Sequence, residues 1–271
     1  MSDTVKMYIR DLPEDLTKKV NQHIRLFAVT MLICDEDDSK AIPCSGTLCS
    51  IKNKRGIVTA RHVWAEIAKH RYLLIMLGKV PHIVEVNLLD AIVPPIQSRN
   101  LRIYADIPDI AFIKLTAASI NHLEDISKVF YSVDKRSNEE FIDFAKSPVG
   151  YFALFGTPLE WLDYDKKSVP SFIYNTYINE YLEYDGWDYQ VMGINLDENP
   201  DIPRSYVGVS GGGIWKIKFF VSEDEKSFTV ENPISDVSLV GVNFYQTAEK
   251  GRQIIGHGPY SIYKSLYDYI Q

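Results

Sequence analysis

The sequence predicts a protein built mainly from β-strands, arranged as two β-barrels with a C-terminal helix. Many short stretches rich in β-branched and aromatic residues lie in two blocks, on either side of a polar, helix-compatible stretch at 116–146. Short strands separated by turn residues are typical of barrels. We therefore divide the chain into an N-terminal extension at 1–24, a first barrel with its connector at 25–146, and a second barrel with the final helix at 147–271.

The N-terminal extension carries the signal for a short helix. At 11–14 an aspartate can act as N-cap, a proline falls in the first turn, and a glutamate follows three residues after the aspartate. Leu12, Leu16 and Val20 then recur every four residues, which is the spacing of one helical face. The period changes at 24–33, where β-branched and aromatic residues predict the first strand.

Strand signals and turns alternate along the rest of the chain. In the first half we predict a short helix at 62–70 and strands at 46–52, 57–60, 72–77, 82–89, 101–104 and 109–115. In the second half we predict strands at 151–155, 214–221 and 238–245, and a hairpin at 171–194 around Asp185-Gly186-Trp187. At 260–270, Ile262, Leu266 and Ile270 recur every four residues and predict the C-terminal helix.

The composition argues against several classes of function. With 29 basic and 36 acidic residues the formal net charge is −7, whereas binding to nucleic acid needs clustered Lys and Arg. No apolar run approaches the roughly 20 residues that span a bilayer, and the N-terminus lacks the layout of a signal peptide. The sequence has three cysteines, Cys34, Cys44 and Cys49, and no second pair of Cys or His follows Cys44 and Cys49 at metal-binding spacing, so we expect no metal site. An odd, small number of cysteines is typical of reduced thiols, so we expect a cytoplasmic protein.

Three short segments carry the residue types of nucleophilic catalysis. His62 follows an apolar strand, Asp109 begins another, and Ser210 lies among the glycines of 208–213. A serine hydroxyl is a weak nucleophile and needs a base within hydrogen-bond reach, a task that suits imidazole. Each segment alone has a simpler interpretation, such as a flexible turn for the glycine-serine stretch. Together they follow the order His, Asp, Ser, which is one of the known orders of the serine triad.

These segments resemble the motifs of the chymotrypsin-like (trypsin-fold) serine peptidases, especially bacterial intracellular-type members without disulfides. Residues 59–62 match Thr-Ala-x-His, residues 109–115 match Asp-Ile-Ala followed by two apolar residues, x and Leu, and residues 208–212 match Gly-x-Ser-Gly-Gly. The similarity extends to 46–48, 155–158, 239–242 and the terminal helix. It therefore covers about residues 25–270.

The resemblance implies two six-stranded antiparallel β-barrels and a serine endopeptidase that cleaves peptide bonds through an acyl-enzyme, without a cofactor. His62 would act as the base, Asp109 would orient it, and Ser210 would be the nucleophile. The backbone N–H groups of Gly208 and Ser210 would form the oxyanion hole. The implied partner is a protein or peptide substrate, with no nucleic acid and no membrane.

The chain departs from the family beside the serine. Secreted members carry an aspartate there, which pairs with a new N-terminus after cleavage, but this chain has Val209 and no Ile-Val-Gly-Gly segment. Gly213 replaces the usual proline. By its offset from Ser210, Arg204 falls near the base of the family's primary substrate pocket, which predicts a pocket that does not favour Lys or Arg. The alternative is that the Arg204 side chain points toward solvent. His257 falls where the family lines that pocket, although a structural role is favoured over substrate contact.

Two other interpretations stay open at this stage. The first is a catalytically silent binding or scaffold module, which is consistent with Val209 and with a partner docked on 1–24. The second is a protease held inactive until a regulatory protein or ligand reshapes the loop at 199–209. The polar, turn-rich segment at 195–203 is consistent with such a loop.

Overall fold

The structure is a computed structural model, and it describes residues 14–34, 41–77, 80–100, 105–147, 151–163, 169–193, 203–218, 220–221, 228–229, 237–247 and 253–271. The predicted helix cap at 11–13 and the predicted strand at 101–104 lie outside the described residues.

The first half of the chain forms helix α1 (Glu14–Phe27) and an antiparallel sheet. The strands are β1 (Ala28–Cys34), β2 (Ala41–Ile51), β3 (Lys54–Thr59), β4 (Tyr72–Leu77), β5 (Val80–Glu85), β6 (Asp90–Ile92), β7 (Ser98–Asn100), β8 (Ala105–Ile107), β9 (Ala111–Lys114) and β10 (Tyr131–Ser132). Seven of them are ordered β5-β4-β1-β2-β3-β9-β6, and β10 pairs in parallel with β2. Strands β7 and β8 form a separate ribbon.

The pairing of β3 with β9 positions the candidate site. Thr59 lies opposite Ala111, and the neighbouring residues Val58 and Phe112 are completely buried. Because the two strands are antiparallel, the end of β3 lies beside the start of β9. The loop after β3 and the loop before β9 therefore meet at one edge of the sheet.

Three further helices connect these strands and lead to the second half. They are α2 (Arg61–Ile67), α3 (Ala117–Asp125) and α4 (Glu139–Lys146). Thr116 caps α3 by accepting from the Ser119 amide, and Asn138 caps α4 by accepting from the Phe141 amide. Helices α3 and α4, with β10 between them, occupy the stretch that the sequence predicts to be a helix-compatible connector.

The second half is a closed six-stranded barrel. Its strands are β11 (Tyr151–Gly156), β12 (Phe172–Tyr184), β13 (Trp187–Gly193), β14 (Gly213–Ile217), β17 (Val237–Gln246) and β18 (Gln253–His257), ordered β11-β12-β13-β18-β17-β14. A short ribbon joins β15 (Phe220–Val221) to β16 (Phe228–Thr229). The β12–β13 hairpin turns through Asp185 and Gly186, both at positive φ, as a two-residue hairpin requires.

The chain ends in a helical segment that packs against the barrels. A π-helical stretch (Ser261–Leu266) leads into α5 (Tyr267–Tyr269). Ile262, Leu266 and Ile270, spaced every four residues, are completely buried. The predicted amphipathic C-terminal helix is therefore confirmed, with a wider turn over its first half.

The predicted two-barrel, chymotrypsin-like architecture is confirmed, with two local differences. Among the described residues the first sheet has eight strands rather than six and is open rather than closed. Helix α1 also runs to Phe27, so the strand predicted at 24–33 starts only at Ala28. Ile24 and Phe27 continue the buried face begun by Leu16 and Val20, and this tertiary packing outweighs the strand preference of the local sequence.

One continuous apolar core includes residues from both barrels and from α1. Phe27 of α1, Tyr131 of β10 and Trp215 of β14 meet at its centre, with ring centroids 5.5–5.6 Å apart. Aromatic contacts of this kind fix the relative position of the elements that carry them. Among the residues that the structure describes, no helix is both long enough and apolar enough to cross a membrane.

Candidate active site

His62 and Asp109 form a hydrogen-bonded pair at the edge where β3 and β9 meet. The Asp109 Oδ2 atom lies 2.7 Å from His62 Nδ1, and Asp109 Oδ1 accepts the His62 backbone N–H at 2.9 Å. The imidazole is 52% exposed, whereas the carboxylate is 12% exposed. The carboxylate therefore fixes both the backbone and the ring of His62, and the other ring edge faces open space.

Asp109 is itself held from behind by His257, the last residue of β18. The His257 Nε2 atom accepts the Asp109 backbone N–H at 3.0 Å. Its Nδ1 lies 3.2 Å from the Ser261 hydroxyl, which in turn donates to the Asp188 carbonyl at 2.8 Å. These bonds require the tautomer with the proton on Nδ1, since Nε2 must accept.

His257 is completely buried, and its ring packs among Trp187, Tyr189 and Phe244. Burial lowers the pKa of His257 to about 3, although the nearby Asp109 charge and the bond with the Asp109 amide act in the opposite direction. His257 is therefore neutral at physiological pH. Its position behind Asp109 corresponds to the structural role that the sequence favours, and it leaves the ring no surface for a substrate to contact.

Two glycines shape the turn that carries Ser210. Gly208 and Gly211 both have φ of +90°, in the region that favours glycine. A Cβ on Gly208 would lie 2.5 Å from the Thr157 carbonyl oxygen, and one on Gly211 would overlap the Thr59 side chain and the Ser45 carbonyl oxygen. No larger residue fits these positions while the turn stays against β2 and β3.

The Ser210 turn is bonded to both halves of the molecule. From β2, the Ser45 backbone N–H donates to the Ser210 carbonyl (3.1 Å) and the Ser45 hydroxyl donates to the Gly208 carbonyl (3.0 Å). From β17, the Asn243 carbonyl accepts the Gly211 amide and the Asn243 amide donates to the Gly212 carbonyl. The turn thus bridges the first sheet and the second barrel.

The Ser210 hydroxyl bonds to the backbone rather than to His62 in this structure. Within the described part of the chain it donates to the Phe244 carbonyl oxygen at 3.4 Å and makes no hydrogen bond with His62. An O–H···O distance of 3.4 Å is long, so this bond is weak. Phe244 lies where the register of β17 shifts against β18, at a β-bulge.

The backbone N–H groups of Gly208 and Ser210 make no hydrogen bond with any described acceptor. The flanking amides do: that of Val209 donates to the Tyr206 carbonyl and that of Gly212 donates to the Val209 carbonyl. These two amides are the donors predicted to form the oxyanion hole.

Val209 anchors the turn by apolar packing. Its side chain is 1% exposed and lies in a cluster with Phe172, Tyr206 and Ile214. A Cβ at Gly156 would overlap the Val209 methyl groups, so the contact with β11 is tight. The buried Val209 side chain thus packs the turn against the second barrel.

Arg204 lies on the surface, and its backbone and that of Ser205 are held by Glu160. The Glu160 carboxylate accepts both backbone N–H groups. The Arg204 side chain is exposed, which matches the solvent-facing alternative. No local pattern pointed to the bonds that Glu160 and Ser45 make with the Ser210 loop or to the bond between His257 and Asp109, because each of these bonds joins residues far apart in the chain.

The two described cysteines, Cys44 and Cys49, are free and buried, and burial raises the pKa of both thiols. Both thiols are therefore reduced in the structure, as the sequence predicts, and behave as small buried side chains. The side chain of Cys34 lies outside the described residues.

No protein-family model matches the sequence, and no curated protein matches it. Among solved structures the chain is similar to the active form of Rv3671c protease from M. tuberculosis (TM-score 0.48, 13% identity, covering 91% of this chain and 82% of that one). It is similar to the thermostable serine protease AL20 from an extremophilic microorganism (TM-score 0.49, 12% identity, 91% and 97% covered). It is also similar to the protease Anisep from Arthrobacter nicotinovorans (TM-score 0.49, 15% identity, 89% and 95% covered).

Proposed function

We propose that the protein is a serine endopeptidase in which His62, Asp109 and Ser210 form the catalytic triad. The observation that carries the proposal is the His62–Asp109 pair, in which one carboxylate bonds both the ring and the backbone of the histidine. The Ser210 turn docks on β2 and β3, the strands that lead to His62. The proposed chemistry uses protein groups and water.

In the first step Ser210 Oγ leaves the Phe244 carbonyl by rotation about χ1 and donates to His62 Nε2. Because the bond to Phe244 is long, this rotation costs little. Oγ attacks the scissile carbonyl carbon while its proton passes to Nε2, giving a tetrahedral oxyanion and an imidazolium. Asp109 Oδ2 stabilises the imidazolium through the Nδ1–H group.

The oxyanion binds the free amides of Gly208 and Ser210. One such donor stabilises the transition state by about 3–4 kcal/mol. As the C–N bond breaks, Nε2 protonates the leaving amine, and an ester of Ser210 with the acyl half of the substrate is left. Water then attacks this ester with His62 as base, and the second product leaves with a new carboxylate.

The substrate is a protein or peptide, and the proposed cellular location is the cytoplasm, which the free, buried Cys44 and Cys49 support. We keep as a proposal the predicted preference against cleavage after Lys or Arg, which depends on Arg204 lying near the primary pocket. In the structure the Arg204 side chain is exposed and the Glu160 carboxylate bonds its backbone, so the structure adds no support for this preference. Cleavage of a peptide library tests this preference, and efficient cleavage after Lys or Arg would contradict it.

The test of the proposed function is labelling by a fluorophosphonate probe. Wild-type protein should be labelled on Ser210, Ser210→Ala should not be labelled, and the control Ser137→Ala should be labelled at the wild-type rate. Ser137 is a suitable control because its hydroxyl donates to the Asp134 carbonyl, in the 3₁₀ turn between β10 and α4. A folded wild-type protein that resists labelling with and without peptide substrates or partners would overturn the proposal.

The alternative of a catalytically silent binding module has one observation in its favour, the Ser210 hydroxyl bonded to Phe244 rather than His62. If that position were permanent, a peptide could bind but would not be acylated. Peptide binding by both wild-type protein and Ser210→Ala, without cleavage or labelling, would favour this function.

A further inference from the structure

A cavity of about 380 Å³ lies where α1 ends and the two barrels meet. Arg25, Thr30, Met76 and Lys128 line it from the first half of the chain, and Phe155 and Ser171 line it from the second. Its walls therefore combine two cationic side chains and two hydroxyl groups with apolar surface. The proposed catalytic residues take no part in it.

Both cations are held in place by uncharged oxygens. The Lys128 ammonium donates to the carbonyl oxygens of Arg25 and Ala28, at 2.7 Å each. The Arg25 guanidinium donates to the hydroxyl and the carbonyl of Ser171, at 3.0 and 3.3 Å. An ammonium has three N–H groups and a guanidinium five, so both retain donors after these bonds are made.

The described residues that line the cavity carry an excess of positive charge. Among the described residues no carboxylate forms an ion pair with Arg25 or Lys128. Burial, and then the nearby charge of Arg25, lower the pKa of Lys128 to about 8. A bound anion would relieve this repulsion and form charge-assisted hydrogen bonds with both side chains.

Hydrogen bonds connect the cavity to the Ser210 turn. The Thr30 and Thr157 hydroxyls lie 2.6 Å apart, and the Thr157 amide donates to the Ser45 hydroxyl at 3.1 Å. The same Ser45 hydroxyl donates to the Gly208 carbonyl, and the Ser45 amide donates to the Ser210 carbonyl. Every link in this chain is a direct contact, from a cavity wall to the proposed oxyanion hole.

We propose that this cavity is an effector site for a carboxylate attached to an apolar group, such as the free C-terminus of a peptide, and that its occupation tightens the Ser210 turn. The carboxylate bonds Arg25 and Lys128, while the apolar group contacts Met76 and Phe155. The effect on activity rests on the proposed function, since an endopeptidase generates peptide C-termini as products. Binding and its effect on the turn do not depend on catalysis.

Calorimetry with N-acetyl-leucine, its neutral amide and inorganic phosphate tests the site directly. N-acetyl-leucine should bind, and the amide should bind at least tenfold more weakly. Arg25→Gln and Lys128→Gln should each weaken binding at least tenfold, whereas the control Arg55→Gln, on a surface ion pair with Glu124, should not. If Lys128→Gln fails to fold, Arg25→Gln alone decides.

Two results of the calorimetry would overturn the proposal. Equal affinity for N-acetyl-leucine and its amide, or binding that both variants leave unchanged, would show that the cations do not hold the ligand. Phosphate bound as tightly as N-acetyl-leucine would show a site for any anion and refute the assignment to a peptide C-terminus.

Hydrogen exchange and labelling test the link to the turn. Saturating N-acetyl-leucine should slow exchange of the Ser45 amide severalfold and raise the rate of Ser210 labelling at least threefold. Thr157→Val, which removes the bond to Thr30, should preserve binding and lose both responses. Unchanged exchange at saturation would overturn the proposed effect on the turn. Slowed exchange in a protein that is never labelled would refute the protease function but retain the effector site.

Discussion

Replacing Val209 by alanine tests how the Ser210 turn is ordered. The change removes two methyl groups from a side chain that is 1% exposed. At about 0.8 kcal/mol for each methyl group the loss is about 1.6 kcal/mol, before any cavity is counted. If this loss falls on the turn alone, the ratio of ordered to disordered turn decreases about 15-fold, since 1.36 kcal/mol corresponds to a factor of ten.

The assay is the rate of Ser210 labelling by a fluorophosphonate, measured beside urea unfolding. We expect slower labelling of Val209→Ala, by up to about 15-fold. The control is Val133→Ala, a completely buried valine after β10 that loses the same two methyl groups away from the turn. It should lose similar stability and keep the wild-type labelling rate. Equal labelling of both variants and wild type would refute the view that Val209 orders the turn.

Two more predictions concern the residues behind His62. Asp109→Asn should lower turnover by about 10⁴ with little change in KM, because an amide no longer holds His62 in the required tautomer. The control is Asp106→Asn, at an exposed position. Equal effects of the two substitutions in steady-state kinetics would contradict the role assigned to Asp109. The pKa of His257 is about 3 in the folded protein, against an ordinary value of 6.5. The contribution of His257 to the free energy of unfolding is therefore complete above pH 6.5. It decreases as the pH falls toward 3, by up to about 1.4 kcal/mol per pH unit, because the unfolded chain takes up the proton first. Between pH 7 and 4, the free energy of unfolding of His257→Gln, measured in urea, should decrease less than that of wild type. Parallel curves of this free energy against pH for variant and wild type would contradict the assigned pKa.

Local sequence was enough to predict the strands that flank His62 and Asp109. Both strands are short apolar runs with a polar residue at one end. The structure confirms both strands and pairs them with each other. The glycines around Ser210 also predicted a turn that only glycine can form, and the φ values of Gly208 and Gly211 confirm it.

Contacts between distant residues could not be predicted in the same way. Asp109 and His257 lie 148 residues apart, and Ser45 and Gly208 lie 163 apart. Their hydrogen bonds depend on how the barrels pack, and no local period encodes that. The boundary of α1 was placed too early for a related reason: Ile24 has a high strand preference, and only the core beneath the helix decides its conformation.

The packing of the barrels also determines what controls the turn. Its donors and anchors come from both halves, Ser45 from the first sheet and Val209 with Asn243 from the second barrel. A small displacement of one barrel against the other would therefore lengthen the Ser45 bonds while leaving Val209 and Asn243 in place. Because the Gly208 and Ser210 amides belong to the same turn, their alignment would change with those bonds. A regulator of the proposed oxyanion hole would therefore have to act on groups at the barrel junction rather than on a charge beside Ser210.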